Sequence, residues 1–253
     1  MNKRTPITTI SFDGDGTLWD FEKVMRHSLA ITLDQLRCRA PSRASTELTV
    51  DEMIRIRNSV ASELKGKMVS LEDIRYRAFK RTVESVGCAN ESFAAELNAL
   101  YLKHRFDDIE LYPDVVPALE TLRDDFSHCL ISNGNGHPDR CGLPGRFGVV
   151  VFSQDVGVEK PDPAIFGIAC RQAGCEPADL MHVGDSLQSD VAGANAAGAV
   201  SVWLNRNASE NRSEIRCHYE IQSLFELADI VHLHRAETAD ARFTADMMDR
   251  NRS

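Results

Sequence analysis

Residues 12–18 read Phe-Asp-Gly-Asp-Gly-Thr-Leu, at the end of the apolar run Ile7–Phe12. An apolar, β-branched run bounded by turn residues predicts a buried strand, with Asp13 and Asp15 at its carboxyl end. Two carboxylates so close together repel each other, and a divalent cation relieves that repulsion. Because Asp-Gly pairs are also ordinary turn residues, this stretch alone leaves both a catalytic role and a plain turn open.

Four further apolar runs of the same kind occur later in the chain. They are His128–Ile131, Val149–Phe152, Met181–Val183 and Val200–Leu204. Helix-like segments and Gly or Pro residues separate them, an alternation typical of βα units with a parallel sheet. The sequence therefore predicts an α/β fold with a doubly wound, Rossmann-like sheet.

The interval over residues 20–107 is different, because it has helical periodicity and no convincing strand. Apolar residues recur at steps of three and four, and Thr49-x-x-Glu52 is a typical helix start. These patterns predict an inserted domain of the four-helix-bundle type, at the sheet edge where open α/β folds bind ligands. We expect residues 1–19 and 108–253 to form the α/β core and residues 20–107 to form the helical insertion.

Composition limits the classes of function. The 253 residues include 29 Lys and Arg against 38 Asp and Glu, a formal net charge of −9. Binding a nucleic-acid backbone needs clustered cations, so no nucleic-acid partner is expected. No apolar stretch is long enough to cross a membrane, so no membrane partner is expected either. The seven cysteines are scattered and predict reduced thiols in a cytoplasmic protein.

Two further groups of polar residues follow predicted strands. Ser132-Asn133-Gly134 offers a hydroxyl and backbone N–H groups that can surround an oxyanion or phosphate, although such a triplet is also a common turn. Lys160 lies in a loop after the third predicted strand. A lone lysine is usually a solvated surface charge, so its pattern alone is a weak indication of function.

Two more acids follow the fourth predicted strand. Asp185 is the natural metal ligand of this pair, whereas Asp190 is equally consistent with a first-turn acid favoured by the helix dipole. Parallel topology gathers the ends of all these strands at one edge of the sheet. The set as a whole, with Asp13 and Lys160, therefore indicates a functional site more strongly than any one motif.

In order and spacing, these four motifs resemble those of the haloacid dehalogenase-like superfamily of hydrolases. The resemblance covers Thr8–Leu18 and roughly residues 111–205, and the helical insertion looks like the family's small helical cap. One departure is Gly14, where the family more often has a larger apolar residue. Because that side chain normally packs rather than reacts, we expect altered packing without loss of activity.

The resemblance implies an Mg²⁺-dependent phosphatase that works through an aspartyl-phosphate intermediate. Asp13 would be the nucleophile, and Asp15 would protonate the leaving oxygen and then deprotonate the attacking water. The other implied roles are phosphate binding by Ser132, Asn133, Gly134 and Lys160, Mg²⁺ binding by Asp13, Asp185 and the backbone carbonyl of Asp15, and support of the metal site by Asp190. Phosphoryl transfer needs chiefly positioning and neutralisation of charge, which this set of residues supplies.

Three alternatives remain open at the level of sequence. A 2-haloacid dehalogenase of the same superfamily uses the same nucleophile without a metal, but Asp15 favours phosphoester chemistry, because an ester oxygen needs a proton donor and a departing halide does not. A phosphomutase shares the same core. A non-enzymatic interaction module is disfavoured because no motif is broken.

The choice of substrate is expected to depend on the cap and on the loop after Asp15. We expect Trp19 and Phe21 either to pack against substrate or to close the cap against the core. The cap cations that are candidates for binding a second anionic group are Arg55, Arg57, Lys65, Lys67, Arg75, Arg77, Lys80 and Arg81. The implied partner is a small phosphorylated metabolite, and the protein is expected to be a monomer or homodimer.

Overall fold

The computed structural model describes residues 6–65 and 69–250, with side chains described as far as Thr238 in the last helix. The chain divides into two compact units. The α/β unit comprises Met1–Trp19 and Leu111–Ser253, and the helical unit comprises Asp20–Glu110.

The α/β unit is built on a parallel sheet of six strands in the described residues. The strands are β1 (Thr9–Phe12), β2 (Ser127–Ser132), β3 (Val149–Phe152), β4 (Leu180–Gly184), β5 (Val200–Leu204) and β6 (Tyr219–Ile221). Their order is β3-β2-β1-β4-β5-β6, and every pairing is parallel. The doubly wound α/β fold and its five predicted strands are thereby confirmed. The sixth strand, β6, was not predicted, because it has only three residues with Glu220 at its centre.

This strand order positions the candidate residues. β1 pairs with β2 on one side and with β4 on the other. The chain adds β2 and β3 on one side of β1 and then crosses to add β4, β5 and β6 on the other side. Ligands bind where the strand order reverses in this way, beyond the carboxyl ends of the strands. Asp13, Ser132 and Asp185 all lie at or just beyond the carboxyl ends of these three strands.

The helical unit contains five helices among its described residues. They are α1 (Phe21–Arg39), α2 (Arg43–Glu47), α3 (Val50–Glu63), α4 (Leu71–Ser85) and α5 (Glu91–Asp107). Four were expected, and the additional one is the short α2. The predicted start at Thr49 is confirmed, because its side chain accepts from the backbone N–H of Glu52 while the Glu52 carboxylate accepts from that of Thr49. The periodic apolar faces pack into one buried cluster that includes Leu36, Phe79 and Leu97.

Further helices flank the sheet of the α/β unit. They are α6 (Val115–Leu122), α7 (Ser153–Val156), α8 (Pro163–Ala173), α9 (Ala192–Ala197) and α10 (Leu227–Arg250). A turn of wider π-type helix, Leu187–Val191, leads into α9 and carries Asp190. Such wider turns are often found at functional sites. In the part of the chain that the structure describes, no helix combines the length and the apolar character needed to span a membrane.

Candidate active site

Lys160 and Asp13 form a buried ion pair at the end of β1. The ammonium nitrogen of Lys160 donates to Asp13 Oδ1 over 2.6 Å, to Asp190 Oδ1 over 2.6 Å and to the backbone oxygen of Ile131 over 2.7 Å. All three N–H donors of the lysine are therefore used, and its side chain is only 2% exposed. Lys160 is therefore not the solvated surface charge that a lone lysine usually is, because two acids and a carbonyl replace its hydration.

Asp190 is the most heavily hydrogen-bonded acid of the site. Its Oδ1 atom lies 3.2 Å from His182 Nε2 as well as close to Lys160, and its Oδ2 atom accepts from the backbone N–H of Ser186 over 3.0 Å. Burial acts to raise the pKa of Asp190, but Lys160 and His182 outweigh it and hold the pKa below its usual value. This acid is 1% exposed, so it is not a surface acid of a helix terminus.

His182 lies directly behind the site, next to Asp190. Burial lowers its pKa, which favours the neutral ring. Its Nδ1 atom lies 2.8 Å from the hydroxyl of Ser11. The arrangement fits a ring that accepts from Ser11 at Nδ1 and donates to Asp190 at Nε2. No motif spacing could reveal the contact between His182 and Ser11, because it depends on the pairing of β1 with β4.

Asp185 is the more open acid of the cluster. Loss of hydration of its carboxylate among the surrounding protein atoms, together with the charge of Asp190, raises the pKa of Asp185 to about 6. A Cβ atom at Gly16, whose φ is +86°, would lie 2.6 Å from Asp185 Oδ2, so only glycine permits this approach. Trp203 donates its indole N–H to the backbone oxygen of Asp185 over 2.9 Å, which fixes the backbone at this position.

The acids of the site carry too much negative charge for one lysine. Burial raises the pKa of Asp13 to about 8; Lys160 opposes this rise and Asp190 adds to it. Burial opposes the charge of Lys160, but Asp13 and Asp190 raise its pKa above the usual value. Lys160 is therefore charged while Asp13 and Asp185 hold protons more tightly than ordinary acids do.

The donor set fits a hard divalent cation. Ligand oxygens of Asp13, Asp185 and Asp190 all lie within 4.8 Å of one another. Carboxylate oxygens are the ligands that Mg²⁺ prefers, and a cation would relieve the excess negative charge. Since both oxygens of Asp190 already accept hydrogen bonds, Asp13 and Asp185 are better placed to bind it directly.

Asp15 contacts Trp19. The indole N–H of Trp19 donates to Asp15 Oδ1 over 2.6 Å, and Trp19 is 1% exposed. Its ring lies beside the backbone of Gly14 and Gly136 in the α/β unit, and packing of Trp19 against substrate or between cap and core stays a prediction. Phe21 belongs to the helical unit, where its ring lies 4.9 Å from the guanidinium carbon of Arg105.

Ser132 and Asn133 differ in what their side chains contact. Ser132 Oγ accepts from the backbone N–H of Gly134 over 3.0 Å, which leaves its own O–H able to donate. The Asn133 amide makes two hydrogen bonds to the main chain of Lys160, accepting over 2.8 Å and donating over 2.9 Å. The side chain of Asn133 thus ties the Ser132 loop to the lysine loop.

An ion pair between Arg206 and Asp114 supports the loop after β1. The guanidinium of Arg206 donates to both oxygens of Asp114, over 2.8 and 3.0 Å, and to the backbone oxygen of Thr17 over 2.9 Å. Burial acts to raise the pKa of Asp114, but hydrogen bonds from Arg206 and Ser223 lower it below its usual value. This contact was not predictable from local sequence patterns, since 92 positions separate the two residues.

The candidate cations of the helical unit differ in whether a carboxylate already neutralises them. Arg81 makes two hydrogen bonds to Glu63, and Lys80 pairs with Glu91. Arg75 has no carboxylate ion-pair partner among the described residues and donates to the side chain of Asn98. Burial and nearby Arg105 lower its pKa. Lys67 lies outside the described residues.

The chain thus combines a doubly wound α/β fold with an acid-rich site at the point where the strand order reverses. The chain belongs to the haloacid dehalogenase-like hydrolase family, whose sequence model matches residues 7–198.

The relatives include both phosphatases and dehalogenases. A glyceraldehyde 3-phosphate phosphatase of Methanopyrus kandleri is 29% identical over 237 residues, covering 89% of this chain and 97% of that protein. The N-acylneuraminate-9-phosphatase of Homo sapiens is 27% identical over 231 residues, covering 87% of this chain and 92% of that protein. The crystal structure of a 2-haloacid dehalogenase from Pseudomonas syringae pv. Tomato DC3000 matches with a TM-score of 0.75 and 27% identity, covering 89% of this chain and 98% of that chain.

Proposed function

We propose that this protein is an Mg²⁺-dependent phosphatase that hydrolyses a small phosphorylated metabolite through an aspartyl-phosphate on Asp13. The contact between Lys160 and Asp13 carries the proposal, because it holds a carboxylate nucleophile beside a buried cation at the ligand-binding edge of the sheet. Family membership and the phosphatases among the relatives support the same chemistry.

In the first half of the reaction, a carboxylate oxygen of Asp13 attacks phosphorus. The bond from phosphorus to the substrate oxygen breaks, and that oxygen takes a proton from Asp15. Lys160 balances the charge of Asp13 and of the transferring group, and the free O–H of Ser132 donates to a phosphoryl oxygen. Backbone N–H groups after β2 bind the remaining oxygens. We assign Asn133 chiefly to positioning Lys160, through its two bonds to the lysine main chain.

In the second half, water attacks phosphorus and gives its proton to the Asp15 carboxylate. The bond between Asp13 and phosphorus breaks, which releases phosphate and restores both acids. Dividing the hydrolysis into two displacements at one carboxylate makes each step easier than direct attack by water.

Asp13, Asp185 and the backbone carbonyl of Asp15 would hold Mg²⁺. When bound, Mg²⁺ neutralises charge among the carboxylates and on the phosphoryl group. Asp190, whose oxygens already accept from three groups, positions Lys160 and the loop of Ser186. Without that cation, a phosphate dianion would face several carboxylates with only Lys160 to offset them.

We further propose that the helical unit is the cap that selects substrate. The substrates named for the relatives differ from one another, so glyceraldehyde 3-phosphate and an N-acylneuraminate 9-phosphate belong in a panel of phosphorylated metabolites. Within the helical unit, Arg75 is the best candidate for an anionic group, because it is half-buried and has no carboxylate ion-pair partner among the described residues. Arg57, Arg77 and Lys65 also have no such partner in the described part of the chain, but they are exposed. The cytoplasmic location and the monomeric or homodimeric state stay predictions.

A 2-haloacid dehalogenase is the second candidate, since a solved dehalogenase matches this fold closely. The presence of Asp15 disfavours a dehalogenase, because a departing halide needs no proton and would leave the carboxyl group of Asp15 without a catalytic role. A phosphomutase of the same family remains a third alternative.

The deciding experiment measures phosphate release from a generic aryl phosphate with Mg²⁺, with chelator, and after Asp13→Asn. We expect activity only for the wild type with Mg²⁺. Asp34→Asn is the matched control, because Asp34 is a surface acid of the helical unit, 78% exposed, and its loss leaves activity unchanged. Equal phosphate release by Asp13→Asn, or chloride release from a 2-chloroacid without phosphate release, overturns the proposal.

A further inference from the structure

The buried indole of Trp19 makes a directed contact with the proposed acid and base. Its Nε1 atom lies 2.6 Å from Asp15 Oδ1. An indole N–H donates and never accepts, so Oδ1 must act as an acceptor in this contact. A proton on the Asp15 carboxyl group is therefore directed to the other oxygen, Oδ2.

The second oxygen of Asp15 faces the loop that follows β2. A Cβ atom built at Gly134 would lie 2.6 Å from Asp15 Oδ2 and 3.3 Å from Ser132 Oγ. Oδ2 and the Ser132 hydroxyl are thus both neighbours of the bare backbone of Gly134. The oxygen that can carry the proton is the one nearest the proposed phosphate-binding loop.

Gly14 makes room for the indole. A Cβ atom at Gly14 would lie 2.7 Å from Trp19 Cζ2, closer than real Cβ atoms come to other atoms. In this chain the indole of Trp19 occupies the space beside the backbone of Gly14, and in this position its N–H donates to Asp15.

We propose that Trp19 is a positioning residue that holds the Asp15 carboxyl group with Oδ2 as its proton-carrying oxygen. This inference rests on the proposed phosphatase function. In the first half of the reaction, the proton leaves Oδ2 for the substrate oxygen as the bond from phosphorus to that oxygen breaks. In the second half, Oδ2 takes a proton from water as the oxygen of that water bonds to phosphorus and the bond from Asp13 breaks.

The test compares two substrates that differ in their need for a proton. An alkyl phosphate loses a basic alkoxide and requires the acid, whereas p-nitrophenyl phosphate loses a stable phenolate and does not. For Trp19→Phe we expect kcat/KM on the alkyl phosphate to fall at least about tenfold further than on p-nitrophenyl phosphate, within the range of general acid catalysis. A merely structural role for Trp19 would lower both values in parallel.

Trp203→Phe is the matched control. It also removes an indole N–H from the site, but one that donates to the backbone oxygen of Asp185 rather than to an acid. Its effects on the two substrates are expected to be parallel. If Trp19→Phe does not fold, site-specific replacement of Trp19 by 3-benzothienylalanine keeps the bicyclic shape and removes only the N–H.

The outcomes separate this inference from the proposed function. Parallel losses on both substrates for a folded Trp19 variant overturn the role of Trp19 while the phosphatase stands. If the wild type with Mg²⁺ hydrolyses neither p-nitrophenyl phosphate nor any phosphate ester, the proposed function itself is wrong, and the inference falls with it.

Discussion

The ammonium nitrogen of Lys160 lies 2.6 Å from Oδ1 of Asp13, and both side chains are almost completely buried. Removing two charges from water is costly, and a close contact offsets that cost only if the remaining donors are also satisfied. Asp190 and the backbone oxygen of Ile131 accept the other two N–H groups. The lysine is therefore fixed in one position, which suits a group that must meet a transferring phosphoryl group.

Lys160→Met is expected to destabilise the protein by about 3–5 kcal/mol, because it leaves two buried carboxylates without their cation. Urea unfolding in the presence of chelator measures the effect. Lys103→Met is the control, since Lys103 pairs with Asp107 at the surface and is 62% exposed. A surface pair contributes at most about 1 kcal/mol. An equal loss of unfolding free energy in the two variants would show that the burial of Lys160 does not increase its contribution to stability.

The stabilising effect of Mg²⁺ is expected to grow with pH. The pKa values of Asp13 and Asp185 rise from 3.8 to about 8 and about 6, so the folded protein without cation holds more protons than the unfolded chain across this window. The contribution of these acids to the free energy of unfolding therefore falls as pH rises. Mg²⁺ must displace those protons, so it binds more weakly at low pH.

Thermal unfolding with and without Mg²⁺ measures this dependence. At about pH 8 and a concentration about 100 times its Kd, Mg²⁺ is expected to add about 2.7 kcal/mol, and near pH 5 distinctly less. The difference between the two conditions cancels groups that do not bind the cation. An effect of Mg²⁺ that is the same at both pH values would contradict a site formed by Asp13 and Asp185.

Residues that follow strands were predictable from sequence because the signal is local. An apolar run followed by acids or small polar residues is enough to locate Asp13, Ser132 and Asp185 at strand ends, and parallel topology then brings them together. The short elements α2 and β6 were missed because each lacks an apolar period long enough to recognise.

Contacts that join distant parts of the chain were not predictable. Lysine as a residue type favours the surface, so the family resemblance placed Lys160 at the site but did not show that it is buried between two acids. Trp19 is a partial exception, because the unusual Gly14 predicted altered packing. The sequence did not indicate that the space would be filled by the indole that contacts Asp15.

Breaking the pair between Arg206 and Asp114 is expected to destabilise the loop after β1. Asp114→Asn should cost about 2 kcal/mol, as expected for loss of hydrogen bonds between charged groups. The lowered pKa of Asp114 means that its contribution is present above the unfolded value of 3.8 and is lost as pH falls through the folded value. Urea unfolding of both proteins at neutral and acid pH tests this expectation, because the difference between them should shrink in acid.

Glu120→Gln is the control for Asp114→Asn, since Glu120 pairs with Arg146 and is 56% exposed. Its loss is expected to change the free energy of unfolding by less than about 1 kcal/mol. If both variants lose the same small amount, the contact of Arg206 with Asp114 does not stabilise the loop.

Gly14 and Trp19 are expected to be energetically coupled. Gly14→Leu forces a side chain into the space of the indole, and overpacking of a buried site costs about 1–3 kcal/mol. Trp19→Val empties the same space, so it leaves a cavity and is also destabilising. The double variant places a leucine where the indole was, and its loss should be smaller than the sum of the single losses. A double-mutant cycle of urea unfolding measures this coupling, which for residues in contact is about 0.5–3 kcal/mol. Additive losses would mean that the two side chains do not compete for the same space, because the indole moves away from the 2.7 Å approach of a Gly14 Cβ to Trp19 Cζ2.

The double variant should also lose activity on alkyl phosphates preferentially, because its restored packing brings back no N–H for Asp15.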